Sequence, residues 1–300
     1  MNGLLNVNKP TGTTSRRVVD IVARCAGTKR AGHAGTLDPL ASGVLVVCLG
    51  WATRLVSFIQ DRPKTYRARF LLGQKSDTDD VTGMLTEVPD APRPVRGDVA
   101  RALGAFVGDI LQVPPQFSAV NVAGRRAHSL ARRGKTVTLE PRQVRVHRIE
   151  MLSYEFPDLE LEIECGSGTY VRAVARDLGN ALGCGAVMSA LIRQRIGDFS
   201  VESAVTTEEL ATRPVAEILI PPLAAVADFP RFSCAPADLD RLTRGRPLLC
   251  SARCAFPPDG TVALVDASGQ LQALAVYDDA ERLLRPRQVF LPGCSGNGPP

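Results

Sequence analysis

The segment Leu159-Glu-Leu-Glu-Ile-Glu-Cys165 alternates apolar and acidic residues without a break. Side chains point to opposite faces along a strand, so this spacing predicts a strand with Leu159, Leu161, Ile163 and Cys165 inward and Glu160, Glu162 and Glu164 in water. A strand with one wet face belongs in a sheet with antiparallel neighbours, because all-parallel sheets are covered on both faces. A second strand of this kind is expected over 65–72, where Tyr66, Ala68, Phe70 and Leu72 alternate with Arg67, Arg69 and Leu71. Helices are expected after Thr14 or Ser15 (Val18, Val22 and Cys25 on one face), around Val99, Leu103 and Phe106, and after Gly166-Ser-Gly-Thr169. In that last helix Val171, Val174, Leu178 and Leu182 share a face, and Arg172 and Arg176 lie on another. Strands and helices follow in irregular order, so the expected fold class is α+β, a mixed and mainly antiparallel sheet flanked by helices.

Three hundred residues allow one large or two ordinary domains. A change of character near 214–225, with Pro214, Pro221 and Pro222, suggests a linker-like segment. Short β-type runs beyond it, Val262–Val265 and Leu271–Tyr277, predict a small β-rich accessory domain over 225–290. The expected division is therefore a main domain over 1–215, the accessory domain over 225–290 and a disordered Gly- and Pro-rich tail over 291–300. No apolar run is long enough to cross a membrane, and Met1-Asn-Gly-Leu-Leu-Asn-Val lacks the features of a signal peptide. A cytoplasmic protein is expected. Its eight scattered cysteines then read as reduced thiols, and the lone close pair Cys250/Cys254 lacks the partners of a zinc site. With no coiled-coil or swap signal, a monomer is expected.

The net charge of +5 is uneven: residues 214–300 carry −1 and residues 1–213 carry +6, nearly all from Arg. Arg forks suit bidentate phosphate contact and base stacking. The densest cluster, Gly124-Arg-Arg-Ala-His-Ser-Leu-Ala-Arg-Arg-Gly-Lys135, makes Arg125, Arg126, Arg132 and Arg133 candidate contacts to an anionic polymer. Several chemistries are missing from the sequence: no G-x-S-x-G elbow, Walker loop or H-E-x-x-H occurs. No dinucleotide loop or metal-ligand cluster is recognisable, so no cofactor and no metal are expected. Side-chain chemistry is left.

The best candidate for such chemistry is Arg30-Ala-Gly-His-Ala-Gly-Thr-Leu-Asp-Pro-Leu-Ala-Ser-Gly43, which leads into the apolar run Val44–Leu49. It places Asp38 five residues after His33, one of three histidines, in a glycine-rich loop. Gly32, Gly35 and Gly43 leave room for close approach of a ligand backbone. Asp-Pro is also a common turn, and the loop by itself leaves both readings open.

This loop resembles the catalytic motif of the TruB-type tRNA pseudouridine-55 synthases. The resemblance extends in the same order through Asn8-Lys-Pro-Thr-Gly-Thr-Thr-Ser15, Lys64-Thr-Tyr66, Leu72-Gly-Gln-Lys-Ser-Asp-Thr-Asp-Asp80, Gly166-Ser-Gly-Thr-Tyr-Val-Arg172 and Asp177-Leu-Gly179, covering roughly residues 3–210. Residues 225–290 are similar, less closely, to the family's small PUA-type RNA-binding domain. The resemblance implies isomerisation of the T-loop uridine 55 of tRNA to pseudouridine after the nucleotide is flipped out, with tRNA, through its T-stem-loop, as partner. It implies that Asp38 is the catalytic carboxylate, acting on the ring, on the sugar, or in a glycal route. Arg172 would pair with it, Tyr66 would stack on the uracil and assist proton loss from C5, and His33 would support the opened RNA loop. Tyr170 and Leu191 match further pocket positions, while Lys9 and Arg193 match positions assigned to support and RNA contact. An ionised Asp38 is needed, and a nearby guanidinium favours that state.

The chain departs from the family pattern at Phe117, where Tyr is expected, at Asn121, where Lys is expected, and at His128, where an aromatic is usual. Two other functions compete with this one. A non-catalytic RNA-binding or tRNA-folding protein would have no use for a carboxylate facing phosphates. A carboxylate-dependent glycosidase needs a second acid, and the Asp77–Asp80 run is the sole candidate.

Overall fold

The computed structural model describes residues 1–118, 138–250 and 256–291, and the backbone of 121–122 and 125–126. Nine strands form the main sheet: β1 Gly3–Lys9, β2 Ala31–His33, β3 Ser42–Leu49, β4 Lys64–Leu72, β7 Gly108–Gln112, β10 Arg142–Glu155, β11 Asp158–Cys165, β12 Ala186–Ile196 and β13 Phe199–Ser200. The central order is β1-β3-β12-β4-β11-β10-β7, with β2 on β3 and β13 on β12. Two small hairpins, β5 Gln74–Ser76 with β6 Leu85–Glu87 and β8 Asn121–Val122 with β9 Arg125–Arg126, stand apart from it. All pairings in the main sheet are antiparallel except β3 with β12, which run parallel through Ile192↔Ser42 and Arg193↔Gly43. This is the mixed, mainly antiparallel α+β sheet expected.

The residues explain the two characters of the sheet. On β11 and β4 the apolar positions pack inward against helices α3 Arg96–Gly104 and α4 Val171–Ala181, through Val99, Leu103, Val171, Val174 and Leu178. The opposite face is wet, and there Glu160 accepts from both Arg67 and Arg69. The helix around Val99 stops at Gly104, so Phe106 packs from beyond its end. Strands β1 and β3 are covered on both sides, and β3 is apolar throughout Val44–Leu49. One face meets helix α1 Ser15–Cys25, capped by Thr14 Oγ1 accepting from Arg17 N at 3.2 Å, through Val18, Val19 and Val22. The other meets Ala52, Leu55 and, on the short helix α2 Val56–Gln60, Ile59.

A second sheet, ordered β14-β16-β17-β18-β15, comprises β14 Arg231–Ser233, β15 Leu248–Leu249, β16 Thr261–Val265, β17 Leu271–Asp278 and β18 Leu283–Val289. It has its own core around Leu242, Leu264, Ala275 and Leu284. Ala263, Leu271, Leu274 and Phe290 join the core of the first sheet. Trp51 stacks on Phe290 with ring centroids 4.4 Å apart, and Arg54 donates to Val289 O at 2.7 Å. The stretch 214–225 is no free tether: Leu4 and Ile220 exchange backbone hydrogen bonds at 2.9 Å, and Val215 and Ala225 are buried. Its prolines set bends in a packed segment. Among the described residues no helix is long and apolar enough to cross a membrane.

Candidate active site

The centre of the main sheet gathers the residues singled out by the sequence. Asp38 sits in the connection from β2 to β3 and opens a turn, with Ala41 N donating to Asp38 O at 3.0 Å. The turn and the site are therefore the same structure. Ser15, the first residue of α1, clamps this connection: its hydroxyl donates to Leu37 O at 3.0 Å and accepts from Leu37 N at 2.8 Å. Gly12 N donates to Pro39 O at 2.7 Å, so the 8–15 segment holds the Asp38 loop through its backbone.

Arg172, at the start of α4, reaches Asp38 with Nε 2.9 Å from Oδ2. The guanidinium is almost wholly buried, whereas the Asp38 side chain keeps 36% of its surface accessible. Two further donors go to Thr78 O at 2.9 Å and Phe117 O at 3.2 Å, and Asp80 Oδ2 lies 3.6 Å away. Because Phe117 contributes its carbonyl, a missing phenolic hydroxyl leaves this contact intact. The Asp77–Asp80 run is already engaged. Asp79 meets Arg176 at 3.0 Å, and Asp80 Oδ1 accepts from Thr78 Oγ1, Thr82 N and Thr82 Oγ1. These acids position Arg172 and its neighbour.

Tyr66 and Leu191 lie on β4 and β12 in the buried cluster that includes Leu37 and Ala41. Tyr170 caps the N-terminal end of α4, and its backbone exchanges two hydrogen bonds with the buried Gln112 side chain, at 2.8 and 3.2 Å. His33, on β2, is partly buried, and its Nδ1 has no hydrogen-bond partner among the described residues. Lys9 ends β1, fully buried, and donates to Pro10 O at 3.0 Å and Thr13 O at 2.6 Å. Arg193 is 1% exposed. Arg132, Arg133 and His128 lie outside the described residues, as do residues 292–300 and the side chains of Arg125, Arg126 and Asn121.

The electrostatics depart from one expectation. Burial pushes the Asp38 carboxyl above the usual carboxylate range, against the opposing pull of Arg172 and Lys9. The guanidinium limits that rise without reversing it. Burial lowers the Lys9 ammonium to about 8, although Asp38 holds it up. Burial, reinforced by Arg193 and Arg16, lowers the His33 imidazole below its ordinary value, so the ring is neutral at neutral pH. A flat neutral ring suits a stacking role.

The glycines were expected to admit a ligand backbone. Instead Gly35 and Gly43, at φ +101° and +100°, are approached from within the chain. A Cβ on Gly43 would lie 2.2 Å from Arg193 O, and one on Gly35 would lie 3.4 Å from Arg193 Nη1. Gly32 has only ordinary contact with the Thr53 methyl at 3.9 Å. Sequence reasoning missed Gln112 and the clamping role of Ser15, because each acts on backbone atoms that only the tertiary fold brings near. Among the described residues no three His, Cys, Asp or Glu side chains converge as a metal would require.

Comparison with known proteins matches the same frame. The model of the TruB family pseudouridylate synthase N-terminal domain fits residues 23–171, and that of the tRNA pseudouridylate synthase B C-terminal domain fits residues 172–217. A tRNA pseudouridine synthase B of Symbiobacterium thermophilum is 45% identical over 82% of each chain. One of Thermobifida fusca is 41% identical, over 92% of this chain and 98% of the relative. The chain belongs to the TruB family of pseudouridylate synthases. The fold agrees: a protein solved in an H/ACA RNP bound to a substrate RNA containing 2'-deoxyuridine superposes with a TM-score of 0.71 at 26% identity, covering 97% of this chain and 85% of that one. Within this TruB-family frame, Asp38, Tyr66 and Tyr170 fall in the first matched region, and Arg172, Leu191 and Arg193 in the second.

Proposed function

We propose that this chain converts the T-loop uridine 55 of tRNA to pseudouridine. The observation that carries the proposal is the Asp38–Arg172 pair at 2.9 Å, a buried guanidinium on a partly accessible carboxylate beside the cluster that holds Tyr66 and Leu191. The relatives' names, which specify tRNA, support the substrate class. In this reaction the bond from N1 to ribose C1′ breaks, the uracil turns, and a C5–C1′ bond forms as C5 loses its proton and N1 gains one. Atoms and electrons balance within the nucleotide. Ionised Asp38 supplies the negative charge, as nucleophile toward C1′ or the ring, or as base in a glycal route, and the buried Arg172 holds it in one orientation. Tyr66 and Leu191 offer an aromatic platform and an apolar wall for the flipped uracil. His33 would occupy part of the space the nucleotide vacates, and Tyr170 would line the pocket. Lys9, buried beneath Asp38, supports the loop. Basic residues of 125–133 and the second sheet, read as PUA-like, would carry the rest of the T-stem-loop, with the chain working as a monomer in the cytoplasm.

The test uses an unmodified tRNA transcript, with pseudouridine mapped by chemical probing. Wild type is expected to modify the T-loop uridine alone, and Asp38→Asn to abolish modification while keeping tRNA binding. Tight tRNA binding by wild type without pseudouridine would leave only an RNA-binding role. Release of free uracil would instead identify a glycosidase, a reading already weakened by the engagement of Asp79 and Asp80 with Arg176, Thr78 and Thr82.

A further inference from the structure

Arg193 holds a buried charge that the proposed chemistry leaves without a task. It is among the largest fully buried side chains of the chain. Among the described residues no carboxylate lies within ion-pair distance of it, an arrangement that folding disfavours unless the donors are well used. Two of them go to backbone carbonyls on either side of the Asp38 loop: Nε to Val44 O at 2.7 Å and Nη2 to Gly35 O at 2.9 Å. Across the sheet Arg193 has Tyr66 as its direct cross-strand partner in the β4–β12 register, and its charge acts on the Tyr66 phenol. A Cβ on Gly43 would collide with the Arg193 backbone at 2.2 Å, and one on Gly35 would touch Nη1 at 3.4 Å.

We infer that Arg193 is a positioning residue that ties the Tyr66 ring and the Asp38 loop into one rigid unit, rather than a contact to RNA. A guanidinium only donates, so toward it the Tyr66 oxygen can only accept, and the phenolic O–H is turned away from Arg193, free to donate elsewhere. One side chain therefore fixes the height of the loop through Gly35 and Val44, and both the ring and the hydroxyl direction of the residue proposed to stack on uracil. Its burial excludes direct contact with phosphates. The groups facing the Tyr66 hydroxyl are Arg193 from β12, Cys165 from β11 and Asp38 from the loop; burial raises the phenol's pKa, and Arg193 is the group that opposes the rise.

The inference rests on the proposed reaction, so its test includes a readout that needs no RNA. Arg193→Met and Arg193→Lys are compared with wild type using a T-stem-loop RNA carrying [5-³H]uridine, whose tritium is released on isomerisation. Arg193→Met is expected to lower kcat on the order of 10²-fold, the scale of a displaced reacting group, with KM unchanged. Arg193→Lys should recover part of the loss, because one ammonium keeps the charge but cannot span three acceptors. Adding Tyr66→Phe to Arg193→Met should cost less than it does in wild type, since the two residues act as a unit. Without RNA, the [ζ-¹³C]tyrosine resonance of Tyr66, assigned by its loss in Tyr66→Phe, should titrate at higher pH in both Arg193 variants. A raised KM with altered salt dependence and an unchanged kcat would show an RNA contact and overturn the inference, as would an unmoved Tyr66 resonance. If Arg193→Met does not fold, the same readouts on Arg193→Lys decide. Failure of wild type to release tritium counts against the reaction itself, while the resonance still reports on the Arg193–Tyr66 link.

Discussion

Arg172 and Ser15 show how single side chains prepare a carboxylate for work. Arg172 is gripped by Thr78 O, Phe117 O and Asp80 on one side, so its Nε reaches Asp38 with little freedom to turn away. Burial raises the Asp38 carboxyl, and the adjacent opposite charge pulls against that rise. Under the proposed function activity needs the ionised form, so it is expected to fall as pH drops through the raised Asp38 value. Removing the guanidinium by Arg172→Met leaves only Lys9 pulling against burial, and the acid limb of kcat/KM is expected to move to higher pH, as read from a pH–rate profile. Ser15→Ala would leave Leu37 N and O without their partner and cost about 1–3 kcal/mol in denaturant unfolding, with a loss of kcat from a loosened Asp38 loop. Asp38, His33, Tyr66 and Arg172 could be singled out in the sequence because each belongs to a motif. Ser15, Gln112 and the true partners of Arg193 could not, since they bind backbone atoms that are distant along the chain and carry no residue signature.

Among the elements, β3 and β12 form the one parallel contact of the main sheet, at the point where the Asp38 loop ends. Gly43 is the hinge of that contact, with φ +100° and no space for a Cβ beside Arg193 O. Gly43→Ala is expected to cost at least about 3 kcal/mol, combining backbone strain with a steric clash against backbone. A fall in thermal midpoint or in soluble yield would measure it, and a wild-type midpoint would refute the account. The wet-faced strands β4 and β11 could be read to within a residue, Lys64–Leu72 and Asp158–Cys165, because alternation is a local signal. The short strand β2 and the pairing order could not be read. A three-residue strand carries no period, and its place is set by what lies beside it: Ala31 opposite Leu49, and His33 opposite Val47.

At the scale of the whole molecule, the two sheets share a core. Ala263, Leu271, Leu274 and Phe290 pack with Val44, Val46, Ala52 and Ile59, so the second sheet is seated on the first through apolar contact. Composition revealed the β-rich character of this region but suggested a linker before it, because prolines mark bends equally in free and in packed segments. Trp51→Ala removes the stack on Phe290 and is expected to destabilise the joint by about 1–3 kcal/mol. Under the proposed function, tRNA affinity should then weaken in a filter-binding assay while saturating kcat holds. Weakened kcat with intact affinity would show that the joint serves the Asp38 site instead.

That same ring gives the protein a built-in optical gauge. Trp51 is the only tryptophan in the 300 residues, and it lies where the two sheets touch, stacked at 4.4 Å on the far side's Phe290. Indole emission from the unlabelled protein therefore reports a single location, the seam. Detachment of the second sheet should appear as a change in tryptophan fluorescence ahead of loss of backbone dichroism, so partial opening and global unfolding can be timed separately in one cuvette. Any RNA that pulls on the seam will register on the same channel without a dye.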